Sequence, residues 1–154
     1  MPFDETSLAY LSANHVSRQW RAFLVAISSE LFRNADTEDA LAFLREVGSH
    51  VATSLPLAKV ETLEALEAAI NGRWAEIDWG WVSLSATENE VLVKHGASPS
   101  YIDHAEGSEW TRGFAAILEG LYTNWFQAQG SQAGLKAVCI AAPHGAPLEF
   151  RYGL

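Results

Sequence analysis

The sequence has one cysteine, one methionine and five prolines in 154 residues. A single thiol cannot close an intrachain disulfide, so a hydrophobic core has to hold the fold, and the apolar run around Cys139 points to a buried thiol, not a reactive one. Positive charge is scarce as well: 10 Lys and Arg stand against 19 Asp and Glu, a formal net charge of −9. Phosphate recognition needs clustered cations and none are clustered here, so nucleic acid is excluded as a partner and anionic membrane surfaces are disfavoured. No uninterrupted apolar run approaches the roughly 20 residues of a membrane span, and the opening Met1-Pro2-Phe3-Asp4-Glu5 is acidic, unlike a signal peptide. These absences predict a soluble chain in a reducing compartment, with the cytoplasm expected.

Chemical motifs are missing too. His15, His50, His95, His104 and His144 are scattered, with no His-x-x-x-His and no Cys-x-x-Cys, so no metal site is expected. A Walker loop, a Gly-x-Gly-x-x-Gly after a strand and a Gly-x-Ser-x-Gly elbow are all absent, which leaves no expected cofactor and no expected catalytic residue. Two acidic pairs remain, Glu76 with Asp78 and Glu106 with Glu109. Glycoside hydrolysis needs only two carboxylates about 5 to 10 Å apart, but each pair also reads as helix-end charge or a solvated loop. Asp103 and His104 are neighbours in sequence, which does not by itself orient a dyad.

What is present is apolar periodicity and an excess of tryptophan, six in all. The run Ser108 to Gly130 places Trp110, Phe114, Ile117, Leu118, Leu121 and Trp125 on one broad face of a helix, with Ser108 as cap and Gly130 as left-handed stop. Gly113 and Gly120 lie inside it, each costing about 1 kcal/mol relative to Ala. With Ala116 and Asn124 they form a ridge of small residues that admits another backbone, either within the domain or across a subunit contact, and Trp125 and Phe126 are the residues expected at such a contact.

Upstream, Trp20, Phe23, Leu24, Ile27 and Leu31 predict a core-facing helical stripe over residues 17–33. A second helix should run from Asp36 or Thr37 to Ser54, burying Leu41, Leu44, Val47, His50 or Val51, and Leu55. A third, from Val60 to Trp74, should bury Leu63, Leu66, Ala69 or Ile70, and Trp74, leaving Glu61, Glu64 and Glu67 in solvent. Alternation over Trp79–Ala86 and again from Val91 predicts one β-hairpin, and Leu135–Ala142 with Leu148–Tyr152 a second. The fold class is therefore α+β: N-terminal helices, a long central helix and a four-stranded antiparallel sheet made of two hairpins, in a single domain over residues 1–154 whose first 15 residues form an arm. Trp79 and Trp81, read as one face of a strand, are either core or interface residues or a platform that stacks sugar rings.

Three segments carry a resemblance: Phe43-Leu44-Arg45-Glu46-Val47-Gly48, Ile77-Asp78-Trp79-Gly80-Trp81-Val82-Ser83-Leu84, and Leu118-Glu119-Gly120-Leu121-Tyr122-Thr123-Asn124-Trp125. In this order and spacing, the stretch from Trp20 to Gln129 resembles the D subunit of bacterial cellulose synthase. The resemblance implies a non-catalytic accessory protein, a ring-like homo-octamer built as a tetramer of dimers, that orders nascent β-1,4-glucan for export and crystallisation. It implies N-terminal segments lining inner passageways, which would put Phe3, Asp4 and Glu5 against glucan. Implied partners are the membrane-embedded synthase subunits and, in some operons, a proline-rich companion. Such proteins have been placed on either side of the inner membrane, and the acidic start favours the cytoplasmic side over the periplasm. Two other classes stay open, a glucan-binding module or sugar-active enzyme using Trp79 and Trp81 with nearby acids, and a small-ligand sensor.

Overall fold

The computed structural model describes Leu11 and residues 17–99, 109–142 and 146–153. Among the described residues, four helices, α1 (Arg18–Asn34), α2 (Thr37–Ser54), α3 (Leu63–Ile77) and α4 (Glu109–Ala128), accompany four strands, β1 (Trp81–Ala86), β2 (Glu90–Gly96), β3 (Lys136–Ala141) and β4 (Leu148–Gly153). The sheet is antiparallel throughout with order β1-β2-β4-β3, so the two hairpins join through β2 and β4. This is the α+β architecture that the alternation and periodicity predict.

α4 organises the packing, with ten of its twenty residues buried. One side meets the sheet, where Tyr122 and Phe126 lie against Phe150 and Tyr152 of β4. The opposite side carries the small-residue ridge and meets α2. A Cβ built on Gly120 would stand 1.9 Å from the Arg45 carbonyl oxygen, and one built on Gly48 of α2 1.8 Å from the Ile117 carbonyl oxygen. Glycine is required at both positions because the two helix backbones touch there. Asn124 extends the seam by donating to the Ser49 hydroxyl at 3.1 Å. The left-handed stop also forms as predicted, with Gly130 at φ 96°.

α3 buries Leu66, Ile70 and Trp74 as expected and is capped by the Thr62 hydroxyl, which accepts from the Ala65 N–H at 3.1 Å. Its loop from α2 is pinned from three sides. Trp125 Nε1 donates to the Leu55 carbonyl, Arg73 to the Pro56 carbonyl, and the Gln129 amide bridges Ala58 and Val60.

Three expectations change. α2 buries Ala40, Gly48 and Ala52 most deeply, not its large residues, and His50 is exposed; at Gly48 the close approach of the α4 backbone leaves no room for a side chain. The first strand begins at Trp81, because Asp78 sits in the left-handed region and Gly80 at φ 104° turns the chain back alongside α3. The largest change concerns α1, none of whose residues is buried.

Candidate interaction surface

The polar groups of the interior are the first place to look for chemistry. His95 on β2 is fully buried, with Nε2 2.7 Å from the Trp79 carbonyl oxygen. A carbonyl only accepts, so Nε2 carries the proton. Nδ1 then accepts from the Tyr122 hydroxyl at 2.5 Å, and the Tyr122 oxygen accepts from Trp74 Nε1–H at 3.2 Å. Loss of hydration pushes the His95 pKa down to about 4, opposed by the bond to the Trp79 carbonyl. The same desolvation pushes the Tyr122 hydroxyl far above its ordinary value, opposed by the bond from Trp74. A neutral imidazole and a locked phenol thus tie α3, β2 and α4 together, out of reach of a substrate in solvent.

Glu119 is buried as well. One carboxylate oxygen accepts from Arg45 Nε at 3.1 Å and the other from the Cys139 backbone N–H at 2.9 Å, which links α2, α4 and β3. Burial and then the Glu119 charge push the Cys139 thiol up to about 11, so it stays a protonated, weak nucleophile near neutral pH.

Both edges of the sheet are occupied by helix side chains. On β1, the Asn71 amide accepts from the Val82 N–H at 2.7 Å and donates to its carbonyl at 3.0 Å, imitating a neighbouring strand, and Glu67 accepts from the Leu84 N–H at 2.7 Å. On β3, Thr123 takes the Ala137 N–H at 2.8 Å and Glu119 the Cys139 N–H. The outward N–H groups of Val82, Leu84, Ala137 and Cys139, which would otherwise recruit a further strand, are already bonded. Glu67, expected in solvent, is therefore part of an edge cap.

The predicted site residues separate. Trp79 lies in the turn before β1, stacked on Trp74 at 5.7 Å and edge-on to Phe114 at 5.1 Å, as part of the core. Trp81 points outward and lies over Gly96, its cross-strand partner, leaving no room for a Cβ there. The two do not share a face and do not form a two-ring platform. Gly113, Gly120, Trp125 and Phe126 are all engaged inside the protomer. Gly113 faces Leu44 and Phe32, Gly120 the α2 backbone, and Trp125 and Phe126 are 1% and 4% exposed. The expected subunit contact cannot be made of these residues, since their own chain covers them. Of the acidic pairs, Glu76 is bonded to Arg73 on the same helix, Asp78 forms the left-handed end of α3 and Glu109 opens α4. Phe3, Asp4, Glu5, Asp103, His104, Glu106 and Ser108 lie outside the described residues. Among the described residues, no group of His, Cys, Asp and Glu could hold a metal ion, and no helix is long and apolar enough to cross a membrane.

Sequence reasoning missed Glu119, His95, Asn71 and Gly48. A carboxylate on the mostly buried α4, four residues before Thr123, was the one visible signal.

The surface of the described residues, by contrast, carries exposed apolar side chains. Trp20, Phe23 and Ile27, at i, i+3 and i+7 of α1, are 56%, 52% and 51% exposed, and Trp20 meets Phe23 edge-on at 5.9 Å. α1 is held toward its other end, where Phe32 packs beside Gly113 and receives the Arg112 guanidinium over its ring at 5.4 Å. Phe43 on α2 and Val138 and Ile140 on the outer face of β3 are also exposed.

A helix-covered antiparallel sheet with stoppered edges and a bare apolar helix face defines an α+β domain with a surface suited to contact. The family model for the D subunit of cellulose synthase matches residues 6–153. Cellulose synthase operon protein D of Komagataeibacter xylinus is 33% identical over 115 residues, covering 73% of this chain and 72% of the relative. The protein of the same name from Komagataeibacter sucrofermentans is 32% identical over the same shares. The chain belongs to the family of cellulose synthase D subunits.

Proposed function

We propose that this protein is a non-catalytic accessory subunit of a bacterial cellulose synthase complex, working as a homo-oligomer that organises the export and crystallisation of nascent β-1,4-glucan. The observation that carries this reading is the contrast inside one molecule: its buried polar groups are taken up in structural bonds, while a large apolar helix face stands uncovered. Family membership supplies the process. A ring-like octamer assembled as a tetramer of dimers, and association with the membrane-embedded synthase subunits and a proline-rich companion, follow from the family resemblance; the cytoplasmic side of the inner membrane is the proposed location, with the periplasm as the alternative. Phe3, Asp4 and Glu5 are the proposed glucan-facing residues of the passage.

The test is deletion of the gene in a cellulose-producing host, with fibril imaging and bulk glucan measurement. Disordered fibrils or reduced yield, restored by the gene in trans, support the reading. Unchanged fibril order and yield overturn it. The glucan-binding alternative loses its two-ring platform, because Trp79 is enclosed by Trp74 and Phe114.

A further inference from the structure

We infer that the α1 face formed by Trp20, Phe23 and Ile27 binds the same face of a second copy of this chain, as an antiparallel helix pair about a two-fold axis at the level of Val25. The inference rests on the homo-oligomer reading above and adds to it the surface, the partner and the register.

The size of the face comes first. Two half-exposed aromatic rings and a half-exposed isoleucine on one 17-residue helix amount to roughly 300 Å² of apolar surface, taking about 150 to 250 Å² for a whole aromatic side chain. A symmetric pair covers this twice, and the flanking half-buried Leu24 and Leu31 bring the contact toward the roughly 1,000 Å² at which specific interfaces begin. The face is also separable from the fold, since α1 contributes no buried residue to the core.

Charge then selects the occupant and the direction. The start of α1 is basic, with Arg18 and Arg21 and no acidic residue in its first turn. Around its far end the exposed Asp36, Glu38 and Asp39 supply the acidic charge, while Glu30 is ion-paired to Arg33 at 2.9 Å. A second copy laid antiparallel brings each basic start onto the partner's acidic end, twice by symmetry; a parallel copy would set Arg18 on the partner's Arg18. Register follows from position along the helix. Phe23 and Ile27 lie two residues either side of Val25, so a two-fold axis at that level packs Phe23 on the partner's Ile27 and reciprocally, with Trp20 beside the partner's Glu30. A two-fold contact of this kind is its own complement. Strand addition is not an alternative route at Val82, Leu84, Ala137 or Cys139, whose outward N–H groups are capped.

The experiment uses the full chain in solution and begins with wild type. Light scattering at micromolar concentration should give an oligomer with an even number of chains. A monomer would overturn the oligomer reading and this inference together. Phe23→Glu should halve the mass of the dimeric unit while circular dichroism and the thermal midpoint of the protomer stay native-like. An unchanged assembly would overturn the α1 inference and leave the oligomer reading standing. Register is tested by cysteine pairing in a Cys139→Ser background. Phe23→Cys alone and Ile27→Cys alone should give no covalent dimer on mild oxidation, whereas an equimolar mixture of the two, dissociated and reassociated, should give one. Self-crosslinking of Phe23→Cys alone would mean a parallel pair and would overturn the geometry proposed.

Discussion

α1 and α4 look alike on paper and meet opposite fates. Each has a stripe of large apolar residues at helical spacing. In α4 that stripe is closed off by the sheet and α2 closes the other side, whereas Trp20, Phe23 and Ile27 of α1 face solvent. Amphipathic periodicity states that a helix has a face to cover; it does not state which chain covers it. The difference lies in the neighbours. α4 has the ridge of small residues, and α2 supplies the matching Gly48, so two backbones can meet. α1 has no glycine to let a backbone approach as closely, and Phe32 near its end packs beside Gly113 and under Arg112.

The sharpest way to break this contrast is at the crossing of α2 and α4. Gly120→Ala puts a methyl against the Arg45 carbonyl, which a backbone cannot yield to, and should lower the unfolding free energy by about 3 kcal/mol or more in urea titration. A near-native midpoint would mean that the helices slide apart at little cost. Next in size is the buried imidazole. His95 titrates near 4 in the folded chain and near 6.5 when unfolded. Between those values the unfolded chain binds the extra proton, so stability is full above the upper value and declines as the pH falls toward the lower, by about 3 kcal/mol in total. The geometry agrees: a proton on Nδ1 would face a Tyr122 oxygen that already accepts from Trp74, and would leave the hydroxyl proton without its acceptor. Urea midpoints measured across this window for wild type and His95→Gln should diverge in slope, the variant being the flatter.

Opening a sheet edge is a smaller change. Asn71→Ala removes both bonds to Val82 and should reduce stability by about 1 to 2 kcal/mol, while raising the rate of thioflavin-positive aggregation. Smallest of all is Ile27→Ser, which should change protomer stability by less than about 0.5 kcal/mol in solution dilute enough to disfavour association. A large loss there would place α1 in the fold and erase its contrast with α4.

Much of this architecture was legible in advance. The Leu66, Ile70 and Trp74 stripe, the two hairpins and the Gly130 stop are local patterns of period or turn chemistry, readable within a few residues. The interior polar design was not, because its partners are remote in the chain. Arg45 and Glu119 are 74 residues apart, His95 and Tyr122 27, and Leu84 and Glu67 17. No spacing rule connects them before the chain is folded. The candidate site was misplaced for a related reason. Large residues on α4 were the conspicuous ones, yet they serve the core, and the exposed apolar residues proposed for a partner are on a helix that reads as ordinary core.

The stoppered sheet edges have a consequence for how many copies can join. Strand addition is open-ended: each chain that docks offers a fresh edge to the next, and crowding drives it toward fibres. With Asn71, Glu67, Thr123 and Glu119 bonded to the N–H groups of Val82, Leu84, Ala137 and Cys139, strand addition is opposed at those positions, and the proposed homo-oligomer would use side-chain surfaces instead. Contacts of that kind can close on themselves under rotational symmetry. For the proposed homo-oligomer, that favours a particle of fixed size over a growing filament.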